Sequence, residues 1–153
     1  VMPGIYDLTV RGEVDACSPA RKTGPVGTVG VVVASGVLSL AVPAAPELDA
    51  LRVSLSRAGG WHGEATVSLP GCVGATLERS WTVLESGGDA FAVGYRESWR
   101  GLSGCGEAMR SIMPEAPTAD CDADLVLDYR MREVCAAPCE VGVSAVGLAC
   151  LCE

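Results

Sequence analysis

Several residue patterns that mark common enzymes are missing from this sequence of 153 residues. Its only histidine is His62 and its only lysine is Lys22. A mononuclear catalytic zinc usually takes several histidines, and a phosphate-binding loop needs glycines in register with its lysine, so neither site is expected. The Gly-x-Ser-x-Gly motif of serine hydrolases and the Cys-x-x-Cys motif of thioredoxin-like proteins are also absent. The chain therefore carries no recognisable catalytic signature and implies no cofactor.

Positive charge is scarce. Lys and Arg number 11 against 19 Asp and Glu, which gives a formal net charge of −8, and the one adjacent basic pair is Arg21-Lys22. Nucleic-acid binding needs a basic surface that displaces counterions from phosphates, and an anionic membrane surface attracts basic residues in the same way. Neither nucleic acid nor an anionic membrane is therefore an expected partner.

A long apolar helix is missing as well. The segment from Val26 to Ala45 carries no charge, but glycines and serines interrupt it and Pro43 lies close to its end. Its centre, VGVVVASGVLSLAV, is rich in β-branched residues on both sides of a Ser-Gly pair. This pattern predicts two short buried strands joined by a turn, and not a transmembrane segment.

The sequence begins at Val1, without a methionine at that position and without the basic and apolar regions of a signal peptide. It nevertheless contains eight cysteines, an even number that is high for a reducing compartment. Export followed by removal of a signal peptide explains both features. We expect a secreted or cell-surface protein, extracellular or periplasmic, with all eight cysteines in disulfide bonds.

Apolar and polar residues alternate along most of the chain. In YDLTVRGEV, residues 6–14, nearly every second side chain is apolar, and DLVLDYRMREV, residues 124–134, repeats the pattern. Such alternation is typical of antiparallel strands with one buried face, and the spacing of Gly-rich turns such as ESGGDAF predicts about eight or nine strands. Residues 105–121 are the exception, where one short helix is expected within 105–113, followed by a loop.

We therefore expect a single all-β domain over residues 1–153. Strands joined by short turns usually pair in space, which favours an antiparallel meander. Closing such a sheet into a complete or nearly complete barrel removes its edges, and about eight strands leave room for side chains or one small ligand. The barrel resembles those of lipocalins and avidins in architecture only, because the lipocalin Gly-x-Trp signature belongs on the first strand and GGW here lies at 59–61. A β-sandwich is the alternative.

Four of the cysteines lie in the C-terminal segment CAAPCEVGVSAVGLACLCE. Their Cys-x₃-Cys and Cys-x-Cys spacings match a zinc knuckle poorly. If residues 132–141 and 146–153 form the arms of a hairpin, a single register brings the cysteines of the two arms together. We therefore predict two nested disulfides, Cys135–Cys152 and Cys139–Cys150. The crossed pairing of the same four residues fits such a hairpin less well.

The other four cysteines are spread along the chain. Cys105 and Cys121 bracket the long irregular segment, and closing it with a disulfide would contribute about 3 kcal/mol in chain-entropy terms. We predict the disulfide Cys105–Cys121, which leaves Cys17–Cys72 as a long-range disulfide.

Two further polar features have structural interpretations. The stretch DCDAD places Asp120, Asp122 and Asp124 at alternate positions, as in calcium-binding loops, but the glycine and distal glutamate of an EF-hand are not in register. The favoured interpretation is that these carboxylates are solvent-exposed at the start of a strand. A weak surface calcium site is the alternative. His62, in GGWHGE, is expected to be a solvated loop residue.

Two charged residues interrupt the apolar faces of their predicted strands. Arg79 and Glu97 lie directly opposite each other in an antiparallel hairpin centred near residue 88. A charge that points into a core is costly unless it is paired. We therefore expect either a buried ion pair or the polar anchor of a ligand cavity with apolar walls. The candidate ligand-binding residues are Arg79, Trp81, Phe91, Tyr95, Glu97 and Tyr129.

These features favour a non-enzymatic function. The leading hypothesis is an exported, disulfide-stapled β-barrel that binds a small apolar or amphipathic ligand, or a binding module at the cell surface. The first alternative is a structural envelope or extracellular subunit that self-associates through long apolar segments such as Val29–Val42. The second alternative is an enzyme whose site is assembled from scattered residues.

Overall fold

The computed structural model describes residues 1–18, 24–41, 53–56, 60–114 and 116–152. Within these residues, eight antiparallel strands form a closed barrel in chain order, and two more form a separate two-stranded sheet, β9 (Glu140–Ser144) with β10 (Gly147–Leu151). The barrel strands are β1 (Gly4–Asp15), β2 (Gly24–Ala34), β3 (Val37–Ala41), β4 (Val53–Ser56), β5 (His62–Ser68), β6 (Thr76–Gly87), β7 (Ala90–Arg100) and β8 (Cys121–Val134).

The predicted meander barrel is confirmed. Each strand pairs with the next in sequence, and β1 pairs with β8 along almost its whole length, which closes the cylinder. The weakest join in the described wall lies between β4 and β5, where a single pair, Ser56 with His62, connects the strands. By contrast, β5 pairs with β6 from His62 to Ser68.

The uncharged segment near the N-terminus forms the two strands expected of it. β2 and β3 pair around Ser35 and Gly36, whose φ angles are 51° and 75°. A two-residue turn with both φ angles positive matches the right-handed twist of the strands that it joins, and glycine adopts this conformation without strain. No helix in the described part of the chain is long and apolar enough to cross a membrane.

Inward-facing side chains fill the barrel in two clusters. The larger cluster contains most of the aromatic residues together with aliphatic residues of β1, β2, β3, β7 and β8. The smaller cluster lies at the end of the barrel where β6 begins and β7 ends, and its buried members are Cys17, Leu69, Cys72, Ala75, Leu77, Trp99, Leu102, Cys121 and Ala123.

The connection between β7 and β8 covers this end of the barrel. It contains a 3₁₀ turn, Leu102–Gly104, and a short helix α1, Glu107–Ile112, so the helix predicted within 105–113 is present. The carboxylate of Asp120 accepts hydrogen bonds from the backbone N–H groups of Gly101 and Leu102 at 3.1 and 2.8 Å, which fastens the connection to the start of β8.

All eight cysteines form disulfides, as predicted, but the predicted partners are wrong. Cys17 bonds Cys121 rather than Cys72, and Cys72 bonds Cys105. The physical reason is barrel closure. Because β1 and β8 are neighbours, and the N–H of Ala16 donates to the carbonyl of Asp122, Cys17 lies beside Cys121 at the first residue of β8. The predicted disulfides Cys17–Cys72 and Cys105–Cys121 are therefore both replaced.

The predicted disulfides Cys135–Cys152 and Cys139–Cys150 are also wrong, because the hairpin has a different register. Its turn consists of two residues, and Glu140 pairs with Leu151. Cys139 and Cys152 continue that register by one step and bond each other. Cys135 lies outside the hairpin, just after β8, and bonds Cys150, the next-to-last residue of β10. The observed pairs are the crossed alternative.

The C-terminal hairpin packs on the outer wall of the barrel. A Cβ atom added to Gly30 of β2 would lie 2.8 Å from Cγ1 of Val141 and 3.7 Å from Cδ2 of Leu148, so the missing side chain makes room for both residues. Ile5, the register partner of Gly30 on β1, is 3% exposed. The disulfide Cys135–Cys150 ties β10 to the residue that follows β8, and the packing of the hairpin on the outer face of β2 is non-covalent.

Candidate functional site

A polar row crosses the barrel interior between the two apolar clusters. The register of β5 to β8 places Ala65, Arg79, Glu97 and Ala123 side by side. The cross-strand position predicted for Arg79 and Glu97 is confirmed. Glu97 is only 4% exposed, and the small alanines on both flanks leave space around the two long charged side chains.

The two charges take different partners instead of pairing directly. Tyr95 donates its hydroxyl to Oε2 of Glu97 at 2.8 Å. The guanidinium carbon of Arg79 lies 5.7 Å from the ring centroid of Trp81, within the range of a cation–π contact. The rings of Trp81 and Tyr95 are 5.4 Å apart. Arg79, Trp81, Tyr95 and Glu97 therefore form one continuous cluster, which we call the polar layer.

Two N–H groups of the polar layer have no hydrogen-bond acceptor in the described part of the chain. They are Nε of Arg79 and Nε1 of Trp81, and both atoms are buried. Buried donors are nearly always satisfied by protein, water or a ligand, and leaving one without an acceptor costs about 1–3 kcal/mol. The layer can therefore hold a group that accepts hydrogen bonds.

The remaining predicted site residues form a second aromatic group. The ring of Phe91 stacks on that of Tyr129, with 4.4 Å between the ring centroids. The ring of Tyr6 packs edge-on against Phe91, with a centroid distance of 5.2 Å. Phe91 precedes Tyr95 by four residues, so this group lies about 13 Å along β7 from the polar layer. The hydroxyl of Tyr129 has no partner in the described chain, and burial raises its pKa far above the usual range. The six candidate residues thus all line the barrel interior, but they form two separate groups at different heights along the barrel.

The acidic stretch at the start of β8 is engaged by the protein itself. Asp120 accepts the two loop N–H groups, and Asp122 accepts from the hydroxyl of Ser98 at 2.6 Å and from the guanidinium of Arg100 at 2.8 Å. These hydrogen bonds lower the pKa of both carboxyl groups. In the described chain no three His, Cys, Asp or Glu side chains are grouped as a metal site would require.

His62 lies at the first position of β5 rather than in a loop. Its Nδ1 is 2.9 Å from the hydroxyl of Thr82 on β6, and its Nε2 is 3.2 Å from Oε1 of Glu64. The order hydroxyl, imidazole, carboxylate is that of a hydrolase triad, but this group lies exposed on the outer wall, where water has free access. The sequence could not predict it, because the pairing of His62 with Thr82 depends on the β5–β6 register.

Sequence reasoning also missed a groove of about 680 Å³ on the outer wall of the barrel. The groove runs over β7, with β6 on one side and β8 and β1 on the other. The signal that could have identified it is the run of small residues at the outward positions of β7, Ala90, Ala92 and Gly94. The groove is lined by Asp7, Thr9, Glu85, Gly87, Ala90, Phe91, Ala92, Asp128, Tyr129 and Arg130.

Comparisons of this chain with protein-family models, with curated proteins and with solved structures found no match. Its function must therefore be argued from the geometry of its own residues.

Proposed function

We propose that the protein is an exported, non-enzymatic binding module that holds a small amphipathic ligand inside its barrel. The observation that carries this proposal is the polar layer, in which buried N–H groups of Arg79 and Trp81 have no acceptor among the described residues of an otherwise apolar interior. Binding sites for small molecules combine apolar walls with a few placed polar groups in this way.

The polar layer favours a ligand with a carboxylate or similar acceptor head. Arg79 supplies a permanent positive charge, and a charge-assisted hydrogen bond to a carboxylate is stronger than one between neutral groups. Glu97 already accepts from Tyr95, so it helps to fix the aromatic wall beside the head group. Because the side chains of the larger cluster fill this part of the barrel, the apolar tail would enter by moving them apart and would then pack against them.

The join between β4 and β5 offers an entry route. It is held by the single described pair of Ser56 with His62, and Ala65 on β5 is the direct neighbour of Arg79. A wall with few hydrogen bonds opens at lower free energy than a fully paired one. Opening at this seam would lead a ligand directly to the polar layer.

The disulfides support the exported location. Four disulfides in one chain persist in oxidising compartments and are rare in reducing ones.

Decanoate and decanol test the binding proposal, because they share an alkyl tail and differ in head charge. We expect saturable binding of decanoate, about tenfold tighter than that of decanol, measured by calorimetry. Arg79→Met should remove that preference, whereas Arg96→Met on the outer wall should preserve it. The proposal fails if neither probe saturates, or if Arg79→Met leaves the preference intact in a variant whose circular dichroism is unchanged.

Self-association is the second candidate function, and the uncharged outer wall of β2 and β3 favours it. Neither strand contains a charged residue, and Val32 and Val37 are 40% and 38% exposed. Two copies that each carry a charge of −8 would meet most easily across such a surface. Val32→Lys should then lower the sedimentation coefficient at high concentration, whereas Val14→Lys on β1 should not. If the wild-type protein sediments as a monomer at every concentration, this candidate is excluded.

A further inference from the structure

The outer groove is built from two rows of residues that cross four strands. In one row, Glu85 of β6 lies beside Ala92 of β7, followed by Asp128 of β8 and Thr9 of β1. The next row contains Gly87, Ala90, Arg130 and Asp7 in the same strand order. Because β7 contributes only alanines to these rows, the longer side chains of the neighbouring strands stand above it as walls.

An apolar side chain lies on the outer face of β7 next to the residues that line the groove. Leu84 covers Gly94, and a Cβ atom added to that glycine would lie 3.2–3.4 Å from three atoms of Leu84. The β-bulge between Val83 and Glu85 permits this arrangement, because it brings both Leu84 and Glu85 to the outer face. Along β7 the groove residues are thus followed by a position that an apolar side chain covers.

The charges that line the groove differ in how far they are neutralised. Asp128 binds Arg11 at 2.6 Å, and this hydrogen bond raises the pKa of the arginine. Asp7 lies 3.7 Å from Arg132. In contrast, neither Glu85 nor Arg130 makes an ion pair or a side-chain hydrogen bond with any described residue. Glu85 acts on Arg11 through space, because its charge contributes to the raised pKa of that arginine, but Glu85 and Arg130 both remain without a direct polar contact among the described residues.

These two groups lie on opposite sides of the alanine floor. Glu85 projects from β6 and Arg130 from β8, and β7 separates their strands by about 10 Å. Both side chains are long enough to bend over the floor towards a molecule that lies between them. A ligand held there meets Glu85 on one side and a flat apolar surface beneath. On the other side it meets Arg130, which lies beside the carboxylates of Asp7 and Asp128 that are paired with Arg132 and Arg11.

We propose that this groove is a second binding site, for a small zwitterion of about tripeptide size. The ammonium group of the ligand pairs with Glu85, its carboxylate pairs with Arg130, and its backbone lies on Ala90 and Ala92. The guanidinium matches a carboxylate with two parallel hydrogen bonds, which fixes the direction of the ligand. The site lies outside the barrel wall, so it is independent of the interior site.

Triglycine and two singly charged derivatives test the proposal. Triglycine carries both charges, N-acetyl-triglycine only the carboxylate, and triglycine amide only the ammonium group. In a titration followed by ¹H–¹⁵N NMR, we expect the amide signals of Ala90 and Ala92 to shift with triglycine. Binding of triglycine should be about tenfold tighter than binding of either derivative. The dispersion of the same spectra reports that each variant is folded.

Variants identify the groups responsible. Glu85→Gln and Arg130→Gln should each weaken triglycine binding about tenfold, and Ala92→Leu should abolish it by filling the floor. Glu78→Gln and Arg96→Gln, on the neighbouring outer face of β6 and β7, are matched controls that should change the affinity less than about twofold. The proposal is overturned if triglycine shifts no groove signal, if triglycine amide binds as tightly as triglycine, or if the groove variants behave like the controls.

Discussion

Three tyrosines in the barrel interior carry the same hydroxyl group into three different environments. Tyr6 donates to the carbonyl oxygen of Met2 at 2.8 Å. Tyr95 donates to the buried carboxylate of Glu97. Tyr129 is 2% exposed, and its hydroxyl has no partner in the described chain. Hydrogen bonds to charged groups contribute more than those between neutral groups, and a buried hydroxyl without a partner is unfavourable. The three hydroxyl groups should therefore differ in how much they stabilise the fold, with Tyr95 contributing most, Tyr6 less and Tyr129 nothing or an unfavourable amount.

Phenylalanine substitution at each position should produce three distinct changes in the free energy of unfolding. We expect a loss of about 1.5–3 kcal/mol for Tyr95→Phe, about 0.5–1.5 kcal/mol for Tyr6→Phe, and no loss or a gain for Tyr129→Phe. Guanidinium unfolding with the disulfides intact measures all three. Equal losses at all positions would contradict the assignment of hydrogen-bond partners, and each variant serves as a control for the others.

At the scale of elements, the connection between β7 and β8 depends on carboxylates at the start of β8. The hydrogen bonds from the N–H groups of Leu102 and Gly101 lower the pKa of Asp120 below its ordinary value of 3.8. A carboxyl group whose pKa is lower in the folded than in the unfolded state stabilises the fold above the unfolded pKa. That contribution disappears as the pH falls through the folded pKa. The connection between β7 and β8 should therefore be held less firmly against this end of the barrel at acidic pH.

We predict that the free energy of unfolding decreases below about pH 4, and that Asp120→Asn weakens this dependence. The asparagine oxygen accepts the loop N–H groups less strongly at neutral pH, so the variant should be less stable there and should approach the wild type at pH 2–3. Denaturant unfolding at a series of pH values measures both effects. Asp124→Asn is the control, since Asp124 caps no loop. An unchanged pH profile in Asp120→Asn would refute the role of this carboxylate.

The C-terminal hairpin is an element with its own crosslinks and a small apolar contact to the barrel. Its two disulfides hold residues 135–152 together, and Val141 and Leu148 pack over Gly30. A hairpin of two short strands is only marginally stable by itself, so the crosslinks maintain its shape. Cys135–Cys150 also holds it near the end of β8, and the apolar contact holds it against β2.

Gly30→Ala should displace the hairpin, because the added methyl group would lie 2.8 Å from Cγ1 of Val141. We expect faster hydrogen exchange in β9 and β10 with little change in β6 and β7. Adding Val141→Ala should restore part of the protection by making room for the methyl group. Gly88→Ala is the control, because no atom lies within 4 Å of a Cβ there. Slow exchange throughout the Gly30→Ala hairpin would contradict this contact.

For the whole molecule, the four disulfides divide into two pairs with different roles. Cys17–Cys121 and Cys72–Cys105 lie at the same end of the barrel, and their sequence separations are 104 and 33 residues. The hairpin disulfides span only 15 and 13 residues. Because crosslinks that close longer loops remove more entropy from the unfolded chain, the barrel disulfides should contribute more to stability.

Replacing Cys17 and Cys121 by alanine should therefore cost more than replacing Cys139 and Cys152. The chain-entropy model gives about 4.7 kcal/mol for a loop near 100 residues and about 3 kcal/mol for one near 15. Guanidinium unfolding of the two double variants measures the difference, and peptide mapping of the non-reduced protein checks the connectivity. Larger destabilisation by loss of the hairpin disulfide would reverse this assignment of roles.

Local patterns in the sequence were sufficient for the strands, because side-chain alternation and turn residues act over a few positions. They predicted the β2–β3 hairpin around Ser35 and Gly36, and they placed Arg79 opposite Glu97. The even number of cysteines predicted that all would be oxidised, since oxidation depends on composition and compartment rather than on geometry.

Other features depended on contacts between residues far apart in sequence. Closure of β1 against β8 decided that Cys17 bonds Cys121, and a two-residue turn decided the register of the last hairpin. The partners of Arg79 and Glu97 depended on which aromatic rings lie beside them. The outer groove requires four adjacent strands and a bulge. Period-two alternation assigns a side chain to a face, but only the folded barrel determines which side chains from other strands share that face.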